Sequence, residues 1–407
     1  MKILNVIATL LLVAGSSTVA AKQDSTLTIK HTGVLEFSND GTLFVGDNVT
    51  GAIFAYPMEG KTNDKPVEIN IANIDAQIAA VMGVGQHSII INDMAVHPLS
   101  QEVYLSITRG IGVGSLPGIV KVSTSGELIN LPLYDLENTA QILQDMPDKQ
   151  RLRKRGMMAE ANNKDLAKYD LPMSTYAILD IEYYKGEIFV AGISNEMFAS
   201  TLRRMQYPFK GTHSSSQVTM YHTAHNMYES RAPISQMLIK EIDGKAQMIA
   251  AYTCSPIVLI PLDQIKDGAK ITASTVLDYG NGEPIDMVSY KHPLLKKEVL
   301  FLTAKGRNPQ IIPLDALNNA LVLDEKNTPD HFLMDGMGLP IGPSGFTTMF
   351  VGKSTQLDVL NPGWLVSLTR DSETGTLDMQ SLPSWFPITI HNLVAEFDFA
   401  DVNLPEL

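Results

Sequence analysis

The chain has 407 residues, 44 % of them hydrophobic and 18 % charged, a globular rather than disordered balance with enough length to bury a large core. Its formal net charge of −13 excludes a general nucleic-acid or anionic-membrane binder, because both need a basic surface. The single cysteine, Cys254, excludes an internal disulfide, so the fold must hold through its core alone.

The N-terminus reads MKILNVIATLLLVAGSSTVAA, with a basic Lys2, an apolar run over residues 3–14 and small residues at Val19 and Ala21. This order predicts a secretory signal peptide over 1–21, cleaved near Ala21, ahead of a single domain over 22–407. The mature protein is then exported, periplasmic or extracellular. No later segment reaches the ~18 uninterrupted apolar residues a membrane span requires.

From residue 34 onward one pattern recurs, an apolar–acid–apolar start followed by strand, tight turn and strand. It appears as VLEFSNDGTLFVGDNVTGAIFAYPM (34–58) with Glu36, INDMAVHPLSQEVYLSITRG (91–110) with Asp93, ILDIEYYKGEIFVAGISNE (178–196) with Asp180 and PIDMVSYKHPLLKKEVLFLTAKGRN (284–308) with Asp286. MLIKEIDGKAQMIAAYTCSPIVLIPL (237–262) keeps the order without the acid, and FTTMFVGKSTQLDVLNPGWLVSLTRD (346–371) is a weaker copy. The turns NDG, KGE and DGK supply the Gly and Asn that hairpins need. Residues 136–170 are charged and helix-favouring, which predicts a helical insertion between two repeats. Short strands at a period of roughly 50–60 residues predict an all-β propeller of six to seven blades. A seventh blade would combine the C-terminal FPITIHNLVAEFDFADV with the N-terminal STLTIKHTGVL and close the ring.

The phrases DGTLFVGDNVTGAIFAY and DMAVHPLSQEVYLS resemble the strand units of NHL- and YVTN-type propellers. GISNEMFASTLRRMQYPF, YHTAHNMYESRAPI and AAYTCSPIVLIPL are similar to a set of exported bacterial propeller proteins without an established activity. That resemblance covers roughly residues 30–310. It implies a propeller and bacterial export, and no particular chemistry.

Propeller geometry sorts the polar residues. Turns between a blade's first two strands fall on the bottom face, which predicts exposed turn positions for His97 and His292. Turns between second and third strands fall on the top face and carry Arg109, Asn195, Cys254 and Arg307. The stretch HTAHNMYESRAP becomes a top connection, placing His222, His225, Glu229 and Arg231 beside Cys254.

Two imidazoles, a carboxylate and a thiol suit zinc or copper, and two histidines with one carboxylate suit iron. The same residues also read as ordinary loop polars. Arg109, Arg203, Arg204, Arg231 and Arg307, with Asn195, could bind an anionic ligand or pair within the loops. Asp93, Asp180 and Asp286 ring the channel mouth, where they are expected to accept neighbouring backbone N–H groups; oxygen-only ligands would also suit calcium. Two function classes fit: a metal or small-ligand site protein, with redox activity as one form of it, or a non-catalytic propeller docking a protein partner through its top loops. The chain carries no G-x-S-x-G nucleophile signature or nucleotide fingerprint.

Overall fold

The computed structural model describes residues 27–110, 112, 114–148, 152–153, 171–195, 200–279, 284–304, 307–328, 341–343, 346–347, 353–371 and 373–385. The expected signal peptide over 1–21 lies outside them. Six antiparallel sheets surround one channel, a six-bladed β-propeller. Blade 1 holds strands Leu35–Phe37, Thr42–Asp47, Ala52–Pro57 and Thr139–Ile142; blade 2 holds Ile89–Val96, Val103–Arg109, Leu116–Val122 and Leu128–Asn130. Blade 3 holds Asp180–Tyr184, Glu187–Ile193, Ser200–Gln206 and Ser214–His222; blade 4 holds Ile234–Ile242, Lys245–Tyr252, Pro256–Pro261 and Ser274–Asp278. Blade 5 holds Pro284–Lys291, Glu298–Ala304, Arg307–Pro313 and Phe346–Thr347, and blade 6 holds Lys353–Asn361, Trp364–Arg370 and Leu377–Pro383.

The second strand of every blade is largely buried on both faces because each sheet is sandwiched between two others. Thr42–Asp47 is buried at all six positions. The apolar clusters accordingly join adjacent blades. Phe189 and Leu202 of blade 3 pack with Met248 and Val258 of blade 4. Ile107 and Val120 of blade 2 pack with Val366 and Met379 of blade 6. Each such side chain contributes about 1.5–3 kcal/mol when fully removed from water.

Chain order and ring order differ. Innermost-strand contacts run blade 2, 1, 3, 4, 5, 6 and back to 2. Blade 2 is therefore inserted within blade 1, between Ala52–Pro57 and the outer strand Thr139–Ile142, which returns to pair with it. The ring closes through an internal strap. Ile71 exchanges two backbone hydrogen bonds of 2.9 Å with Met379, and Ser381 Oγ and Asp378 Oδ1 accept the Ile69 and Asn73 N–H groups, so residues 69–73 edge blade 6. No seventh blade forms among the described residues; residues 27–34 carry no strand, and 386–407 lie outside them.

The expected helical insertion over 136–170 lies mostly outside the described residues, which show only its flanks. Thr139–Ile142 is a strand, captured by the open edge of Ala52–Pro57, and Leu152–Arg153 pairs with Leu171–Pro172. Residues 154–170 lie outside the described residues. Among the described residues, two short α-helices, Ile74–Val81 and Leu314–Asn318, occur elsewhere.

His97 and His292 are buried, not exposed, both at 0 % exposure. Each imidazole turns inward to accept two N–H groups of its own turn at 3.2 Å, from Leu99 and Ser100 and from Leu294 and Leu295. The chain after Ala52–Pro57 also passes His97 so closely that a Cβ on Gly60 would stand 2.2 Å from its ring, which restricts that position to glycine.

Candidate metal centre

Two carboxylate systems occupy this scaffold, one in the channel and one on the top face. The channel encloses about 520 Å³ and is lined by Glu36, Asp93, Asp180, Glu182, Asp286 and Asp358 from the innermost strands. In four blades an aspartate accepts its own next N–H with one oxygen and a neighbouring blade's N–H with the other. Asp93 takes Met94 and Leu35, Asp180 takes Ile181 and Met237, Asp286 takes Met287 and Leu357, and Asp358 takes Val359 and Val96, all at 2.5–2.9 Å. Glu36 accepts from Tyr183 at 3.2 Å, and Glu182 accepts from Ile239 at 2.8 Å. These bonds stitch every neighbouring pair of blades except 4 and 5, where Gln236 of blade 4 stands at the aspartate position.

Burial raises all six carboxyl pKa values, and repulsion from neighbouring carboxylates adds to it in all but Asp358. Asp93 and Glu182 rise to about 7 and Asp358 to about 6, while Glu36, Asp180 and Asp286 are pushed well above the usual range. Glu182 and Asp358 escaped the sequence reading. Glu182 sits two residues after Asp180 and so faces the channel with it; Asp358 lies in the weakest repeat.

The top-face system is built on a hairpin. Strand Ser214–His222 alternates buried Ser216, Val218, Met220 and His222, so the histidine continues the core-facing side and is 1 % exposed. A 3-10 turn over Thr223–His225 follows, and Asn226 reverses the chain at φ 50°, a left-handed conformation asparagine tolerates. Met227–Glu229 returns antiparallel, with Met220 opposite Glu229 and His222 opposite Met227. Glu229 therefore lies diagonal to His222 on one face. Blade 4 grips this strand: Lys270–Thr272 pairs with it in parallel, Thr275 Oγ1 donates to the Tyr221 carbonyl and Thr223 Oγ1 donates to Asp278.

Glu229 bridges the two imidazoles. Oε2 lies 3.0 Å from His222 Nδ1 and Oε1 lies 2.8 Å from His225 Nδ1, and the rings meet edge-on at 4.2 Å between centroids. One nitrogen from each histidine and one Glu229 oxygen all fall within 4.8 Å of each other. Burial pushes the Glu229 carboxyl up, but the two imidazole contacts outweigh it and hold it below the usual carboxylate range. Cys254, in the turn between Lys245–Tyr252 and Pro256–Pro261, reaches the other side of the His222 ring. Its Sγ is 3.4 Å from Nε2, and Ser255 Oγ is also 3.4 Å away. Burial, with Asp278 and Glu229 adding negative charge, pushes the thiol pKa up. Ser255, absent from the expected set, is a fifth member of the cluster.

Of the other expected ligand residues, Arg109 and Asn195 are engaged with partners outside this cluster. Arg109 belongs to blade 2, opposite blade 4 in the ring, and donates to the Met82 carbonyl at 3.3 Å. Asn195 donates its N–H to the Asp145 carbonyl at 2.9 Å and accepts the Asp148 N–H at 3.4 Å. Arg231 is exposed on the connection into blade 4. Arg307 opens the third strand of blade 5, and its side chain lies outside the described residues. Arg203 is fully buried against Asp145 and the Ala177 and Ile193 carbonyls, and Arg204 pairs with Glu187, so both are structural.

No family model matches the chain. No curated protein matches it either. Among solved structures, virginiamycin B lyase from Staphylococcus aureus aligns over 87 % of this chain and 95 % of its own at 9 % identity, TM-score 0.37. A glucose dehydrogenase aligns over 87 % and 96 % at 10 % identity, TM-score 0.31. The plexin A4 extracellular region aligns over 87 % of this chain at 6 % identity, TM-score 0.37, and the chain spans about half of that plexin chain, 50 %. Likenesses this distant carry no functional argument. Among the described residues, no helix is long and apolar enough to cross a membrane.

Proposed function

We propose that the protein is an exported β-propeller that binds a transition-metal ion on its top face through His222, His225 and Glu229. The observation that carries this reading is the convergence of two imidazole nitrogens and a carboxylate oxygen within 4.8 Å, on a hairpin clamped by the next blade. Nitrogen and carboxylate donors suit zinc, copper or iron. The donor nitrogens and the carboxylate must be unprotonated to bind an ion, so affinity should fall as pH falls. A small ligand or a redox reaction would act at that ion. Calcium in the channel has weaker support, because the four aspartates there already accept two backbone N–H groups each.

Export rests on the basic–apolar–small order of residues 1–21. N-terminal sequencing of exported protein should begin at Lys22. The metal reading is tested by elemental analysis of untagged protein and by titration with Zn²⁺, Cu²⁺ and Fe²⁺. A near-stoichiometric ion in wild type, lost in Glu229→Gln and His225→Ala, is expected; no binding of any of the three ions would sink it. A partner-docking role draws on Met227 and Tyr228, exposed at 52 % and 49 % beside the cluster. Retained partner binding by Glu229→Gln, with no ion in wild type, would favour docking over the metal.

A further inference from the structure

His222 offers its two ring nitrogens to different partners. Nδ1 faces Glu229 Oε2 at 3.0 Å, on the side where His225 Nδ1 stands 2.8 Å from Glu229 Oε1. Nε2 faces Cys254 Sγ and Ser255 Oγ, each at 3.4 Å. A neutral imidazole has one proton, so an ion on Nδ1 obliges that proton to sit on Nε2 and to find an acceptor there. The two nitrogens point to opposite sides of the ring. An ion bound at Nδ1 with Glu229 and His225 is therefore out of reach of a thiol seated at Nε2. Bringing Cys254 across would require the blade 4 turn to leave its place, where Thr253 donates to Pro233 and Tyr279 donates to Ser255 through backbone bonds of 3.0 and 3.1 Å.

Three protein donors leave a four-coordinate ion with one position unfilled, as in sites that take an external ligand rather than closed structural ones. The approach is open on the His225 side, whose side chain is 54 % exposed, while His222 on the other side is 2 % exposed. Resting on the metal reading above, we infer that Cys254 is a positioning residue and not a ligand. With Ser255 it holds the His222 proton at Nε2, and the ion keeps a solvent-facing position that takes water or a small monodentate anion.

Cobalt(II), titrated into the full chain, tests this. Four-coordinate visible bands should appear without a thiolate-to-cobalt band in the near ultraviolet, and they should move when azide or thiocyanate is added. Cys254→Ser, checked for native fold by circular dichroism, should leave the spectrum unchanged. Removing both Nε2 acceptors in Cys254→Ala/Ser255→Ala should weaken Co²⁺ binding about 10- to 100-fold. In ¹⁵N-histidine-labelled protein, Zn²⁺ should switch His222 from the Nδ1–H to the Nε2–H tautomer. A near-ultraviolet thiolate band that Cys254→Ser abolishes would make Cys254 a ligand and overturn the inference while leaving the metal reading intact. A spectrum indifferent to both anions would show a closed site and overturn it as well. Equal Co²⁺ binding by wild type and Glu229→Gln would overturn the metal reading, and this inference with it.

Discussion

The channel and the top-face hairpin both gather carboxylates, but they commit those oxygens to different partners. Asp180 in the channel takes two backbone N–H groups, from Ile181 and Met237. Glu229 on the hairpin takes two imidazoles. Backbone donors cannot leave without opening the seam between blades, whereas an imidazole proton can be exchanged for an ion with little movement of the chain. The partner, more than the acid, separates a carboxylate locked between blades from one whose partners can exchange.

Substitutions in the two regions should therefore separate stability from binding. The largest stability effect is expected in the channel. Asp180→Ala leaves two buried N–H groups without acceptors and should lower the unfolding free energy by about 2–4 kcal/mol in urea titrations, without changing metal affinity. An unchanged midpoint would mean that the inter-blade bonds are dispensable.

Metal loading should act on the hairpin in the opposite sense. Zinc at 100 times its Kd should raise stability by about 2.7 kcal/mol, measured as a melting shift that EDTA reverses. Asp180→Ala should keep that increment, and Glu229→Ala should lose it.

The pH dependence of stability belongs to the channel. Its carboxyls hold protons in the folded state that the unfolded chain releases above about pH 4, so their contribution is complete below that pH and fades as pH rises through about 6–7 and beyond. His97 and His292 act oppositely. Burial lowers their pKa, so their contribution is present above about pH 6.5 and lost below it. Between pH 6.5 and 9 the carboxyls should dominate, and the melting temperature should fall by a few degrees. Asp93→Asn/Asp286→Asn should flatten that slope; a slope unchanged in the variant would remove the channel as its source. The smallest expected effect is Glu229→Gln in metal-free protein, below about 1 kcal/mol by the same urea titration, because its carboxylate is partly exposed.

Much of this was legible in residues close together in the chain. The repeated apolar–acid–apolar starts and hairpin turns led to the propeller and to the acids that bond across blades. HTAHNMYESRAP and YTCSP came out as neighbouring top-face segments because each occupies a defined step in its repeat. Glu182 and Ser255 were legible too, since strand alternation puts Glu182 on the face of Asp180 and Ser255 shares the turn of Cys254.

Alternation, turn chemistry and repeat period are local, and so the sequence by itself determined the blade architecture, the inward face of each strand and the face that carries the histidines. The ring order was decided elsewhere. Residues 69–73 close blade 6, and blade 2 lies inside blade 1, because an open sheet edge accepts whichever strand reaches it, and backbone pairing does not depend on side-chain identity. Only the tertiary structure turned His97 and His292 inward. It also placed Cys254 behind His222 rather than beside His225, since that depends on where two loops from different blades meet.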